Sequence, residues 1–355
     1  SGPMMVLAGP GSGKTSVIVE RTAYMISEGK IPPSSVLVVT FSRAAAVEMK
    51  ERFLKFTGVP RTGVTFGTFH GVFYGILKQA YGLNGSNILS EEEKYAILRE
   101  LAVNCATEQS QEGDFVEDLA KEISVVKGGR ISLEHYYSSC CGQDVFRNIF
   151  EAYENFLHQN RFIDFDDMLV YCKELLVQRP DILAAWQRKY QYILIDEFQD
   201  INWIQYQTVK LLLGKKQNIF AVGDDDQSVY GFRGADTKLM LGFPNEFPGT
   251  RLVYLNTNYR CSSAIVESAC RIIKNNKERY KKAIHSAFEK SQCERVHVIE
   301  VDGMRQETDG IVQKIRKMNQ NGIPYSNIAV LYRTNSEPSG LAMKLMQSNI
   351  PFRVK

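Results

Sequence analysis

Lys14 and Thr15 close a run of small residues, Ala8-Gly9-Pro10-Gly11-Ser12-Gly13-Lys14-Thr15, whose composition and spacing suit phosphate binding. Glycines 9, 11 and 13 let the backbone curl so that successive N–H groups and the following helix N-terminus face an anion. In such a P-loop, Lys14 reaches the β- and γ-phosphates of a nucleotide and Thr15 supplies a hydroxyl to Mg²⁺, although Ala8 stands at the usual first glycine. The competing reading is a glycine-rich turn that binds nothing, and the strand and helix expected on either side argue against it. A second constellation is Tyr192-Ile193-Leu194-Ile195-Asp196-Glu197, an apolar strand ending in two carboxylates. Beside a P-loop, Asp196 is placed to hold Mg²⁺ and Glu197 to accept a proton from an attacking water. Taken alone, two acids at a strand end are also a common polar terminus.

These groups need a scaffold, and the flanking sequence predicts an α/β one. Apolar stretches at 4–7 and 36–41 read as buried strands. Between and after them, residues 14–27 and the stripe Ala46, Met49, Phe53 and Phe56 have helical spacing. The alternation predicts a parallel sheet covered by helices. From about 82 to 188 the strand signal gives way to helical periodicity, opening at the capping-box pattern Ser90-Glu91-Glu92-Glu93. The clearest stripe there is Val145, Phe146, Ile149, Phe150, Tyr153, Phe156 and Leu157. Strands resume at 192–196, 218–222 and 252–255, which predicts one α/β domain from 1–82 and 189–270 with an inserted all-α subdomain at 83–188. Residues 271–355 then read as a linker and the beginning of a second α/β domain, with strand candidates at Val296/Val298 and at Ile328–Tyr332. The basic run in this linker, including Lys274, Lys277, Arg279, Lys281, Lys282 and Lys290, fits either a solvated linker or a phosphate-contacting strip.

Composition sets the outer limits. A chain of 355 residues with 44% hydrophobic and 23% charged residues buries real cores, which excludes a disulfide-held mini-protein and wholesale disorder. The net charge of +3 is too slight to identify a partner, so any nucleic-acid surface must come from local arrangement. The seven cysteines form no CxxC pair and have no histidines at metal spacing, and they read as reduced thiols of a cytosolic protein. No apolar run approaches the ~20 residues of a membrane span. The chain opens Ser1-Gly2-Pro3 without an initiator Met and so carries no information about a leader.

Taken in order, the motifs resemble those of the UvrD/Rep family of superfamily 1 DNA helicases over nearly the whole chain. After the P-loop come Thr40-Phe41-Ser42-Arg43-Ala44-Ala45, Gly67-Thr68-Phe69-His70, Asp164-Phe165-Asp166-Asp167 and Asp196-Glu197-Phe198-Gln199-Asp200. The run from Gly223 to Ala235 (GDDDQSVYGFRGA) and Asn258-Tyr259-Arg260 complete the set. The resemblance implies a RecA-like P-loop NTPase fold with an inserted all-α subdomain and a partial second motor domain. It implies ATP and Mg²⁺ as ligands, and 3′-to-5′ movement on single-stranded or partially duplex DNA, in a cytoplasmic, bacterial-type, nucleoid-associated setting. Within it, Ala8 to Ser16 line the nucleotide, Gln227 senses the γ-phosphate, Tyr259 stacks on adenine and Arg260 is an arginine finger. Phe41, Tyr230 and Phe232 are implied as platforms for bases, with Thr40, Arg43, Thr68, His70 and Arg233 holding backbone or neighbouring groups. Core packing for the aromatics, and a structural role for His70, stay open beside these roles.

This chain departs from the family pattern at three places. Phe232 stands for the usual Trp, Arg43-Ala44 for Asn-Lys, and Ser16 for an Arg that packs on adenine. The resemblance also puts the adenine-reading Gln motif upstream of residue 1 and the second ATP-site arginine beyond Lys355. Two alternatives follow: an ATP- and single-strand-binding module with little turnover of its own, or the N-terminal part of a helicase-nuclease. A GTPase or small-molecule kinase fits poorly, because Asn276-Lys277-Glu278-Arg279 ends in Arg where a guanine-reading motif needs Asp.

Overall fold

The computed structural model describes residues 2–105, 114–129, 131–231, 234–288, 296–333 and 337–354. They form two compact units, residues 1–294 and 295–355. In the first, strand β1 (Met4–Ala8) leads into helix α1 (Lys14–Ser27), β2 (Val36–Thr40) into α2 (Arg43–Thr57), and β3 (Thr65–Thr68) into α3 (Phe69–Tyr81). Five helices follow: α4 (Glu91–Asn104), α5 (Phe115–Gly129), α6 (Gln143–Asn160), α7 (Phe165–Gln178) and α8 (Pro180–Lys189). The sheet then resumes with β4 (Tyr192–Ile195), α9 (Trp203–Leu213), β5 (Ile219–Gly223), the short helices α10 (Thr237–Leu241) and α11 (Phe243–Glu246), and β6 (Arg251–Leu255). A two-residue β7 (Thr257–Asn258), α12 (Ser263–Ile273) and a two-residue β8 (His285–Ser286) end the unit's regular structure among the described residues.

The six strands lie in the order β3-β2-β4-β5-β1-β6, and every pairing is parallel. Their near-continuous apolar sequences follow from burial on both faces. Alternate residues point to opposite sides. Met5, Leu7, Leu37, Val39, Ile193, Ile195, Ile219 and Ala221 face a core built with α3, α7, α8 and α9. Val6, Ala8, Val36, Val38, Leu194, Phe220 and Val222 face the other, built with α1 and α2. Because the strands are parallel, the loops after β1, β2, β4, β5 and β6 all leave one edge, where open α/β sheets bind their ligands.

The inserted helices divide between two cores. Helices α4 to α6 build their own around Leu98, Leu119, Ile123, Phe146, Ile149, Tyr153 and Leu157, with the Ser90/Glu93 capping box formed as the sequence predicts. Helices α7 and α8, expected from periodicity to belong with them, pack through Met168, Cys172, Leu176 and Trp186 onto the sheet. Periodicity identifies an apolar face, not the surface it meets. Strand β3 was not expected, being four half-buried residues with Gly67 among them at the sheet's edge.

In the unit of residues 295–355, α13 (Met304–Gln320) and α14 (Pro338–Gln347) close on Val312, Ile315, Leu345 and Ile350. The expected strands at 296–298 and 328–332 are not formed among the described residues. A strand exists only by sharing its backbone hydrogen bonds with a neighbour, and no ladder partner for either is described there. No helix among the described residues is long and apolar enough to cross a membrane. The six cysteines among them are free.

Candidate active site

The phosphate loop is built by backbone conformations that favour glycine. Gly11 (φ 66°) and Gly13 (φ 91°) lie in the left-handed region, where a Cβ is strained. Ser12 closes the turn by donating from both its hydroxyl (2.7 Å) and its N–H (3.3 Å) to the Gly9 carbonyl. Helix α1 begins at Lys14, directly after the loop. A Cβ on Gly11 would lie 2.6 Å from Arg260 Cβ, so the loop packs on the Asn258-Tyr259-Arg260 turn with no room for a side chain. Ala8 tolerates its methyl because it is the last residue of β1, buried in the core that carries α1. Pro10 and Ser16 are exposed and Thr15 is half-buried.

Two strands away, β4 delivers the acids. Asp196 is buried, with its N–H donated to Val39 O (2.9 Å) and its carboxylate accepting from Glu197 N (3.0 Å). Burial and then the Glu197 charge push Asp196 up to about 6, against the pull of Glu197 N–H and Lys14. Glu197 is itself left-handed (φ 48°, ψ 50°), a conformation that costs a non-glycine residue about 1–2 kcal/mol and that clusters at functional sites. The strained turn aims its carboxylate at Lys14, whose Nζ donates to Glu197 Oε2 (2.7 Å) and to Gln227 Oε1 (3.3 Å). Thus Lys14, Glu197 and Gln227, far apart in the chain, meet at one ammonium.

Gln199 ties this cluster together. Its Nε2 donates to Glu197 Oε2 (2.9 Å) and Asp200 Oδ2 (3.2 Å), while its Oε1 accepts from Asp224 N (3.0 Å). Gly223 makes room for it, since a Cβ there would stand 2.7 Å from Gln199 Oε1. Gln227 Nε2 in turn donates to Asp224 Oδ2. Asp200 is pushed up to about 6 by burial and by Glu197, and its buried Oδ1 has no hydrogen-bond partner among the described residues. The donor set fits a magnesium nucleotide: an ammonium and a backbone curl for phosphate, and a hydroxyl with hard carboxylate oxygens for a small divalent cation.

The third wall is the turn after β7. Asn258 is buried and bonds three ways, donating from Nδ2 to Pro10 O (2.6 Å) and accepting at Oδ1 from Arg260 N (2.8 Å) and Cys261 N (2.7 Å). With Tyr259 N donating to Gly11 O (3.0 Å), this leaves the Tyr259 ring and the Arg260 side chain exposed beside the P-loop.

Further residues singled out in the sequence sit on the β2, β3 and β5 loops. Phe41 and Tyr230 stack on each other, with ring centroids 4.5 Å apart and planes 25° apart. Thr40 is fully buried and its hydroxyl donates to Ser42 O (2.9 Å), so it shapes the loop from beneath rather than facing outward. Arg43 is the exposed first residue of α2. Thr68 caps α3 by accepting from Gly71 N (3.1 Å), and His70, in the first turn, meets Phe165 edge-on at 5.6 Å. Burial lowers His70, against the pull of Asp166. Phe232 and Arg233 lie outside the described residues.

Gln199, Asp224 and Asn258 were visible in the sequence only as members of longer motifs, without roles. The basic linker conceals a larger surprise. The Lys282 side chain is 1% exposed and its Nζ ion-pairs with Asp224, Asp225 (2.5 Å) and Asp226 (2.8 Å). Arg279 pairs with Asp226 through Nε (2.7 Å) and Nη2. These two cations are therefore neither a solvated linker nor a phosphate strip. The three carboxylates lie within 4.8 Å of one another, and the ammonium occupies the place a metal ion could take.

Comparison with known proteins bears on this arrangement. The UvrD/REP helicase N-terminal domain model matches residues 1–248, and the UvrD-like helicase C-terminal domain model matches residues 253–355. The chain is 38% identical to YjcD of Bacillus subtilis over 362 aligned positions, covering 99% of this chain and 46% of that protein. It is 33% identical to the ATP-dependent DNA helicase PcrA of Staphylococcus aureus and 32% identical to that of Staphylococcus epidermidis, in each case over 99% of this chain and 48% of the relative. The chain thus spans about half the length of the relatives it matches.

Proposed function

This chain belongs to the UvrD/REP helicase family, and from that premise we propose that it supplies the nucleotide site of an ATP-dependent DNA helicase that moves 3′ to 5′ on single strands. The observation that carries the proposal is the meeting of Lys14 with Glu197 (2.7 Å) and Gln227 (3.3 Å), which joins three separate motifs at the C-terminal edge of the sheet. In this reading the backbone from Ala8 to Thr15 cradles the phosphates and Lys14 neutralises their β and γ oxygens. Thr15 and Asp196 would hold Mg²⁺, which would supply charge neutralisation at the phosphates. Glu197 accepts the proton of the attacking water, Gln227 reads the γ-phosphate, and Arg260 offers a cation to the charge that develops on it. Tyr259, exposed beside the loop, stacks on adenine next to Ser16.

On the DNA side, Phe41, Tyr230 and Phe232 are platforms for bases, flanked by Arg43, Thr68, His70 and Arg233. Base stacking is indifferent to sequence, which suits an enzyme that moves along a strand. The motor domain comprises residues 1–82 and 189–270, joined by α7 and α8 of the 83–188 insertion and by residues 279–286, and the residues from 295 open a second motor domain. Such an enzyme works in the cytoplasm, at the nucleoid. By itself the 355-residue chain binds Mg-ATP and single strands and turns over little ATP, since coupled hydrolysis needs two motor domains closing on one nucleotide.

Equilibrium titration of the chain with Mg-ATP, in the parent and in Lys14→Ala, tests the nucleotide site. Binding by the parent and its loss in the variant is the expected result. Equal affinities, or a clear preference for GTP over ATP, would overturn the proposal.

A further inference from the structure

The acidic run Asp224-Asp225-Asp226 does more than end a strand. Asp224 is fully buried, yet both its oxygens are engaged: Oδ2 accepts from Gln227 Nε2, and Oδ1 from Lys282 Nζ and from Asp226 N (3.2 Å). A carboxylate shut away from water is tolerated only with a paired cation and satisfied lone pairs. Lys282 is that cation, itself reaching Asp225 and Asp226. The segment that carries it is anchored at several points. Tyr280 N donates to Asp225 Oδ2 (2.8 Å), and the Tyr280 hydroxyl lies within hydrogen-bond distance of Met240 O (3.2 Å). Farther along, the Ile284 side chain packs on Gly9 of the P-loop, and β8 pairs with β7 beside Tyr259 and Arg260. One short strap, residues 279–286, therefore touches both the Gln227 end and the Gly9 end of the nucleotide site.

We propose that Lys282 is a positioning residue for Gln227. Through Asp224 it holds the Gln227 amide at Lys14, and so sets how strongly the site discriminates a triphosphate from a diphosphate. The inference rests on the nucleotide-site reading above. Its physical logic is a relay of three contacts: Lys282 Nζ to Asp224, Asp224 to Gln227 Nε2, and Gln227 Oε1 to Lys14 Nζ. Remove the cation and the buried carboxylate loses the ion pair that fixes its position. The Gln227 amide then loses its strongest partner and its fixed direction. The relay ends at Gln227, the residue read as the γ-phosphate sensor, so its loss falls more heavily on ATP than on ADP.

The test is a pair of titrations of the 355-residue chain with ribose-labelled fluorescent ATP and ADP in excess Mg²⁺, read as the ratio of the two affinities. Lys282→Met and Gln227→Ala are each expected to lower the ATP-over-ADP ratio by about tenfold, the worth of one hydrogen bond to a charged group. The double variant should lose no more than either single one, because both break one relay. Lys282→Met strands buried carboxylates and risks misfolding, so Lys282→Met/Asp225→Asn, which keeps the charge balance, is measured alongside. A ratio that drops in Gln227→Ala and stays at the parent value in the charge-balanced variant overturns the positioning role. So does an equal weakening of ATP and ADP, the mark of a purely structural lysine. Failure of the parent chain to bind either nucleotide overturns the nucleotide-site reading itself, and the relay with it.

Discussion

At the scale of single residues, the site is a competition for one ammonium. Lys14 donates to both Glu197 and Gln227. In the proposed reaction a triphosphate would compete for Lys14 and so free the Glu197 carboxylate to act on water. Lys14→Ala therefore removes nucleotide binding or turnover in the complete protein. Glu197→Gln preserves binding, because an amide still fills the strained turn, but lowers the steady-state ATPase rate by about 10²–10⁴-fold. Equal rates in Glu197→Gln and parent would remove Glu197 from the base role. Both acids and the lysine were legible in the sequence, since their chemistry is tied to motifs a few residues long. Lys282 was not, because a lysine in a basic run has no local feature that distinguishes a buried cation from a solvated one.

At the scale of elements, helix α7 shows what a motif can conceal. Its first turn, Asp164-Phe165-Asp166-Asp167, is a capping box over a buried charge cluster in which Lys127 Nζ meets Asp167 Oδ1 (2.6 Å) and Asp164 Oδ2 (3.1 Å) and Lys94 Nζ meets Asp166 (3.0 Å). Burial pushes Asp164 up, but Lys127 and Lys94 outweigh it and hold that carboxyl at about 2. The same burial, with the Asp164 charge beside it, pushes Asp167 up to about 7. Three aspartates and Glu154 share two lysines, so one of the carboxylates ionises at a cost. An aspartate whose folded value exceeds its unfolded 3.8 binds its proton more tightly when folded. Stability is then lost as pH rises from about 4 to about 7, and nothing more is lost above. Asp167→Asn removes this dependence. Urea unfolding across that window is expected to show the parent losing ground to the variant as pH rises, and a constant difference would refute it.

Glycines within the elements divide in the same way. Gly75 lies inside α3 with nothing within 4 Å of a Cβ, so Gly75→Ala should stabilise the chain by about 0.5–1 kcal/mol. Gly11→Ala meets Arg260 Cβ at 2.6 Å from a left-handed backbone and should lower both the thermal midpoint and ATP affinity. A Gly11→Ala chain that binds ATP as the parent does would show the loop and the Tyr259 turn to be independent.

At the scale of the molecule, a parallel sheet gathers distant loops onto one edge, and a strand of DNA lying there would meet several of them at once. Phe41 and Tyr230, from the β2 and β5 loops, stack as a pair. Tyr230→Ala is expected to weaken binding of a single-stranded oligonucleotide by ~1–3 kcal/mol while leaving ATP affinity at the parent value. An unchanged oligonucleotide titration would assign the ring pair to packing alone. Stacking and a few local cations suffice for such a grip, so a net charge of only +3 is no obstacle.

From the sequence alone came the P-loop, the acid-ended strand, the α/β alternation and the order of the motifs, because each is encoded within a span shorter than the element it belongs to. Hydrophobic period and turn chemistry are local properties. Tertiary structure alone decided which face of α7 and α8 is buried against which sheet, that the candidate strands at 296–298 and 328–332 lack ladders among the described residues, and that Lys282 fills the centre of three aspartates. Each of those depends on what lies across a gap from a residue distant in the chain, and a side chain carries no record of its partner until the fold supplies one.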